Sequence, residues 1–302
     1  MSHSNSKSSS LFKQAVIQIG AGGSAGFVEV CIMHPMDLVK TRFQLQVKTN
    51  KVDPLYYTGI GDCMKKMYKN EGLASFWKGI LPPILSETPK RAVKFFSFEQ
   101  YKPLFLFGAS APTPITFALA GFFAGMTEGI FVNPFEVIKV QLQSNRKKMT
   151  ETPSTFAVTR EIIRKNGFGF NGLNKGLSAT VMRNGVFNLV YLGFYHSVKG
   201  YLPVSNDPKL NFLMKVGIGF SAGTMASCLN IPFDVAKSRI QGSQNNEYRG
   251  TLRTIATVYR QEGFRALYKG LLPKVLRLGP GGAIMLVVYD YMHAYLTVKL
   301  KN

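Results

Sequence analysis

The chain has 302 residues, 46% of them hydrophobic and 12% aromatic, a composition that excludes a disordered polymer and allows one large domain or two to three small ones. With 37 Lys and Arg against 16 Asp and Glu, the formal net charge is +21, which points to an anionic partner: nucleic acid, a phospholipid surface or an acidic solute. The three cysteines, Cys31, Cys63 and Cys228, form no CxxC pair and the four histidines are scattered, so no disulfide framework, metal site, cofactor loop or Ser-His-Asp order is expected, and an enzyme is the weakest reading.

In chain order, Met1–Ser10 is polar and serine-rich without a run of arginines or an apolar signal core, so no cleavable presequence is expected. Long apolar helices are predicted near 11–45, 77–106, 113–144, 175–201, 210–241 and 271–299, with short amphipathic helices near Asp62–Lys69, Thr155–Lys165 and Leu252–Gln261. Few of the long segments are free of charge over ~20 residues, and charges in such helices should face a bundle interior or a water-filled cavity. Bursts of basic residues (Lys65 and Lys66, Arg146 to Lys148, Arg253 to Arg265) lie beside apolar segments, as in membrane-flanking loops. Six spans put both termini on one side and the three basic loops on the other, and charge bias places those loops in the interior compartment.

The string Pro35-Met-Asp37-Leu-Val-Lys40 recurs as Pro134-Phe-Glu136-Val-Ile-Lys139 and Pro232-Phe-Asp234-Val-Ala-Lys237, at spacings of 99 and 98 residues. Such a hexapeptide is expected by chance on the order of once per thousand residues, so the copies define three repeats, 11–108, 109–206 and 207–302. Gln44, Gln143 and Gln241 follow each lysine by four positions. The glycine pairs Gly22 with Gly26, Gly121 with Gly125, and Gly219 with Gly223 suggest close helix packing. Downstream, Phe76-Trp77-Lys78-Gly79, Leu173-Asn174-Lys175-Gly176 and Leu267-Tyr268-Lys269-Gly270 match, although the second repeat has two extra residues around Gly167 to Gly169.

Three related prolines would draw three helices together at one depth. The acid and base one turn apart beyond each proline can meet partners from neighbouring helices, and pseudo-threefold order closes them into a ring: Asp37 with Lys139, Glu136 with Lys237, and Asp234 with Lys40. Burying ion pairs adds little stability because desolvation offsets the attraction, but it suits a gate that must open.

Solute contacts should lie where the repeats disagree. Seven residues past Gly79, Gly176 and Gly270 stand Ser86, Arg183 and Arg277, followed by Glu87, Asn184 and Leu278. An arginine without a fixed carboxylate partner is expensive in a midplane cavity, and its fork matches a carboxylate; two of them suit a dicarboxylate. Arg91 and Lys94, with Lys90, add positive charge, Asn188 adds a polar group, and Glu87 neutralises part of the charge or pairs with a co-transported proton. The competing reading is a structural ion pair of each arginine with Glu29 or Glu128, which occupy matching positions without an assigned role.

These signatures strongly resemble those of the mitochondrial carrier family, over nearly the whole chain. The resemblance implies an all-α membrane protein of the mitochondrial inner membrane, with six transmembrane helices in three pseudo-threefold repeats, each with a short matrix helix, working by alternating access. It makes the acid and base ring the matrix gate, braced by Gln44, Gln143 and Gln241. A cytoplasmic gate would use Glu99 with Lys102, Lys199 and Asp290; His196 and His293 replace an acid and a lysine there, so this gate should be weak, with Lys199–Asp290 its one standard bridge and His293 a protonation-sensitive neighbour of Glu99. Cardiolipin phosphates would sit at helix amino ends marked by Trp77-Lys78-Gly79, Lys175-Gly176, Lys269-Gly270, Gly59 and Gly250, the second repeat lacking an aromatic-x-Gly before its loop helix. Positions 86, 183 and 277 match the family's substrate contacts. Arg183-Asn184, His34-Pro-Met-Asp-Leu-Val-Lys, Glu87-Thr-Pro-Lys-Arg-Ala-Val-Lys-Phe-Phe and Gly167-Phe-Gly imply counter-exchange of 2-oxodicarboxylates, 2-oxoadipate for 2-oxoglutarate, by a chain functional as a monomer and without nucleic acid. A carrier of malate, citrate or amino acids with this architecture is the first rival; a soluble basic helical-repeat scaffold is the second.

Overall fold

The structure, a computed structural model, describes residues 2–46, 56–201, 207–243 and 248–301; the ends of the second and third predicted repeats, 202–206 and 302, lie outside the described residues. Six long helices alternate with three short ones: α1 (Ser2–Leu45), α2 (Ile60–Glu71), α3 (Leu81–Leu104), α4 (Pro114–Ser144), α5 (Thr155–Asn166), α6 (Leu177–Lys199), α7 (Pro208–Gly242), α8 (Thr251–Glu262) and α9 (Leu271–Lys301). No strand occurs among the described residues. The long helices α3 and α6 begin four and two residues later than predicted, because Gly79 and Gly176 take positive φ immediately before them. At Gly79 this is also a packing requirement: a β-carbon there would lie 3.2 Å from the Lys139 carbonyl oxygen.

The long helices close into a ring in which α1 packs on α3, α3 on α4, α4 on α6, α6 on α7, α7 on α9 and α9 on α1. Among the described residues, three stretches are long and apolar enough to cross a membrane, 114–144, 210–242 and 264–299. The charges that keep α3 and α6 below that mark, such as Glu87, Arg91 and Arg183, line the cavity inside the ring. The outer wall exposes Phe27, Ile32, Ile115, Leu213, Leu229 and Val287, a surface suited to lipid.

The glycine pairs act unequally. A β-carbon at Gly121 would lie 3.2 Å from the Asn188 carbonyl oxygen, and one at Gly125 2.7 Å from Asn188 Nδ2, so α4 and α6 need both glycines. At Gly22 a β-carbon would meet nothing within 4 Å, and at Gly219 only the Tyr191 hydroxyl at 3.7 Å, so the expectation of tight packing fails there.

Counting only the six long helices, α1, α4 and α7 are the odd ones and α3, α6 and α9 the even ones; on the loop side each short helix packs against the end of its own repeat's odd helix through an apolar cluster, such as Leu38, Val39, Tyr57, Cys63, Met67 and Phe76 in the first repeat. Burial pushes the Cys63 thiol up to about 12, which keeps it neutral and unreactive, as expected of an apolar filler. Around these clusters run buried ion triads. Glu71 binds Arg42 at 3.0 Å and also Lys78; Glu262 binds Arg239 and Lys269, each at 2.8 Å. The cations continue into the next repeat: Arg42 donates to the Asn145 carbonyl at 2.8 Å, and Arg239 to the carbonyls of Gln44 at 2.6 Å and Gln46 at 2.8 Å. Gln141 and Lys175 donate to the carbonyls of Gln241 and Ser243. These contacts tie the first repeat to the second, the second to the third and the third to the first.

Removing one partner from a buried pair leaves an uncompensated charge and costs about 3–5 kcal/mol. Glu71→Gln and Glu262→Gln should each lower the thermal unfolding midpoint in detergent sharply, while Glu161→Gln, which breaks only the exposed pair with Lys165, should leave it unchanged.

Candidate transport site

The three signature prolines, Pro35, Pro134 and Pro232, lie inside α1, α4 and α7, and the ring predicted just beyond them is closed. Lys139 meets Asp37 at 2.9 Å, Lys237 meets Glu136 at 2.8 Å and Lys40 meets Asp234 at 2.9 Å. Each acid belongs to one repeat and each base to the next, so the ring joins all three.

The even helices add a second layer of cations to the same carboxylates. Arg277 on α9 binds Asp37 Oδ1 through Nη1 at 2.7 Å and Glu29 Oε1 through Nη2 at 2.8 Å. On α6, Arg183 binds Glu136 Oε1 through Nη2 at 2.7 Å and lies 3.7 Å from Asp234 Oδ1. Lys274, one turn before Arg277, binds Asp234 Oδ2 at 2.7 Å and lies over the Phe187 ring at 5.3 Å. Six cations thus face four carboxylates, Glu29, Asp37, Glu136 and Asp234, an excess of two. The α3 group of Lys90, Arg91 and Lys94 against Glu87 and Glu128 raises the excess to three.

Above the ring lies a cavity with two lobes of about 230 and 400 Å³ that share Asp37, Lys40, Arg183, Asn184 and Arg277. Ser86, Glu87 and Lys90 line the smaller lobe; Arg91, Phe187 and Lys274 line the larger. Asn184 lines both lobes, and its Nδ2, against Gly129 of α4, is buried without a hydrogen-bond partner, as is Arg183 Nε. A hollow of this size, positively charged and with unused donors at its wall, suits a small organic anion.

Several sequence expectations need correction. Arg183 and Arg277 lie in the cavity but are not free of carboxylates: each holds a gate acid, and Arg277 also holds Glu29 as the competing reading had it. Their depth, one turn from the ring, brings them within reach. Glu128 is 4.0 Å from Lys94, and neither Lys94 nor Asn188 lines the lobes; Asn188 donates to the Asn184 carbonyl at 2.8 Å, turned toward α4. The glutamines do not brace the ion pairs. Gln44 accepts from Ser238 at 2.6 Å, Gln241 donates to Asn133 Oδ1 at 3.1 Å, and the Gln143 amide is buried without a partner, their stems packing against Gly270, Gly176 and Gly79.

The predicted cytoplasmic gate residues do not meet across the ring. Lys102 pairs with Glu99 on its own helix at 2.5 Å, and among the described residues Lys199 and Asp290 form no ion pair. His293 stacks on Tyr289 at 5.7 Å and His196 on Phe117 at 3.6 Å, so neither histidine reaches Glu99. The ring is closed at its loop end in this conformation, which leaves the opposite end unlatched.

The lysines expected at lipid sites turn inward: Lys78 to Glu71, Lys269 to Glu262 at 2.8 Å, and Lys175 to the Ser243 carbonyl. Trp77 donates its indole N–H to the Cys31 carbonyl at 2.9 Å. The helix ends themselves bear out the difference between repeats. Gly59 and Gly250 cap α2 and α8 without a side-chain acceptor, whereas Ser154 caps α5 by accepting from the Ala157 amide at 3.2 Å. Lys274 was missed because its counterparts, Pro83 and Thr180, were not compared, although the same asymmetry rule that found the arginines applies four residues past each glycine.

A ring of helices latched at one end by exchangeable ion pairs around a cationic cavity is the architecture of a gated membrane carrier for anions. The chain belongs to the mitochondrial carrier family, matching the mitochondrial carrier protein domain over residues 13–108, 110–206 and 208–300, which makes it a carrier of the mitochondrial inner membrane. It is 58% identical to the mitochondrial 2-oxodicarboxylate carrier of Bos taurus, over 94% of this chain and 95% of that protein. It is 39% identical to mitochondrial 2-oxodicarboxylate carrier 2 of Saccharomyces cerevisiae over 92% of both chains, and 40% identical to mitochondrial citrate transporter D of Aspergillus niger over 90% of this chain and 91% of that one.

Because each ring acid has a second cation, truncating one lysine does not orphan it. Lys40→Ala and Lys274→Ala should each cost no more than ~1 kcal/mol, and together about 3–5 kcal/mol, more than their sum, once Asp234 loses both close partners. Thermal unfolding of the two single variants and the double variant in detergent checks this.

Proposed function

We propose that this chain exchanges 2-oxodicarboxylates, 2-oxoadipate for 2-oxoglutarate, by alternating access, and that the substrate opens the matrix gate by taking its arginines. The observation that carries this reading is the pairing of Arg277 with Asp37 and of Arg183 with Glu136. A dicarboxylate entering from the open side presents two carboxylates to those guanidinium forks. Each arginine that turns to substrate leaves its gate acid with only the neighbouring lysine, so binding weakens two of the three gate pairs at the moment the cavity fills. An empty carrier has no substitute anion for the arginines, which return to the acids and relock the ring. Strict counter-exchange follows from that step, since a population shift needs differential binding to the two states. The unpartnered Nδ2 of Asn184 is the donor for the 2-oxo oxygen.

The names of the relatives support the substrate class, and the net positive charge of the cavity suits a small polycarboxylate. A second reading, a tricarboxylate such as citrate, is favoured by Lys274 as a third even-helix cation and by the citrate transporter among the relatives. The transport path lies inside one closed ring, so a single chain suffices. Cardiolipin phosphates belong at the amide ends of α2 and α8, whose glycine caps leave the amides free of side chains.

Uptake of labelled 2-oxoadipate into liposomes preloaded with 2-oxoglutarate, malate, citrate or nothing tests the reading. Internal 2-oxoglutarate should drive fast uptake that falls about 100-fold in Arg183→Ala and Arg277→Ala. Asn184→Ala should lose about tenfold of the preference for the 2-oxo acid over its saturated analogue. Exchange confined to malate or citrate would keep the carrier and reject the substrate.

A further inference from the structure

The second repeat breaks the loop-side pattern that the other two share. In the first and third, a glutamate, Glu71 or Glu262, lies between an arginine and the lysine that precedes an even helix. At the matching places the second repeat has Gln141 and Asn166, and Lys175 is left with the Ser243 carbonyl as its acceptor. Lys175 is only 9% exposed, and that burial without an acid pushes its ammonium below the usual lysine range. From Gly167 to Lys175 the chain is two residues longer than from Gly72 to Lys78 or from Gly263 to Lys269, and it forms turns where those segments form 3-10 helix.

Where the glutamate would have been there is a cavity of about 570 Å³ between α4, α5, this longer loop and the end of α7. None of the gate residues lines it, so it is separate from the transport cavity. Three lysines, Lys147, Lys165 and Lys175, line it with the single acid Glu161, which pairs with Lys165 at 2.6 Å. The amides of Asn166 and Asn171 add donors, and Val137, Val158 and Ile162 provide an apolar wall.

We infer that this matrix-side cavity binds a phosphate group, held by Lys175 at its base and by Lys147, Lys165 and the two asparagine amides at its mouth. Lysines act as point charges on phosphate, whereas the transport cavity presents the arginine forks suited to carboxylates. The bound group takes the place of the missing glutamate and completes the joint between the second and third repeats that Lys175 makes with Ser243. A free phosphate and a phospholipid headgroup share this chemistry.

The experiment is thermal unfolding of the purified carrier in lipid-free detergent, titrated with inorganic phosphate against chloride at constant ionic strength, with a parallel titration of cardiolipin. Binding to the folded state should raise the midpoint by several degrees. Asn166→Glu, which supplies a fixed carboxylate, should raise the midpoint without ligand, abolish the response to phosphate and lower that to cardiolipin to what the α2 and α8 ends give; Lys175→Gln should lose the same responses, and Arg183→Ala, in the transport cavity, should keep them. A phosphate response lost in Asn166→Glu assigns a soluble phosphate, and a cardiolipin response lowered in Asn166→Glu without a phosphate response assigns the headgroup. Should Lys175→Gln fail to fold, Asn166→Glu carries the test alone. A midpoint that neither ligand moves, or that moves equally in Asn166→Glu, overturns the site.

Discussion

The conformation seen here depends on the carboxylates of Asp37, Glu136 and Asp234, each shared between a lysine of the next repeat and a cation of an even helix. In a ring with little water these acids cannot stay ionised without cations, and the cations cannot stay without acids. Such a network contributes little net stability, yet it holds one arrangement firmly. It is also exchangeable, because an incoming carboxylate satisfies an arginine as well as a gate acid does. In the proposed mechanism, closure, substrate choice and exchange all follow from one competition for two guanidinium groups.

Stability has to come from elsewhere, and on the loop side apolar clusters such as Leu38, Val39, Tyr57 and Met67 supply it, with ion triads that fix how the repeats join. The triads around Glu71 and Glu262 are buried, rich in hydrogen bonds to carbonyls of the adjacent repeat, and lie outside the transport cavity. They join neighbouring repeats at the loop-side helix ends, while the opposite end of the ring has no ion pair between repeats among the described cytoplasmic gate residues. The second repeat is the exception in both length and charge, and its joint is where the proposed phosphate site lies.

The six long helices, the three short ones and the ring partners were legible because repetition constrains them: a pseudo-threefold axis permits only cyclic pairing of Asp37, Glu136 and Asp234 with lysines of neighbouring repeats. Positions that break the symmetry also led to Arg183 and Arg277, which lie in the cavity. Their partners were not legible, since pairing with Glu136 and Asp37 depends on the depth of α6 and α9 relative to α4 and α1, which no spacing within one helix records. Asn188 was misplaced for a similar reason: the near-contact at Gly125 turns that face of α6 into the helix interface. The lysines before the even helices are expected at lipid sites, yet Lys78 and Lys269 turn to Glu71 and Glu262, seven residues upstream, across a short 3-10 helix whose path the Lys-Gly motif does not record. The residues expected to form a cytoplasmic gate do not meet across the ring in this conformation.

The most direct measurement is the coupling energy between Arg277 and Asp37, from a double-mutant cycle of Arg277→Ala and Asp37→Asn on thermal stability, with and without saturating 2-oxoglutarate. If substrate takes the arginine from the gate, the coupling is present in the empty carrier and disappears when substrate is bound. A coupling that is absent in the empty carrier, or that persists unchanged with substrate, would contradict the account.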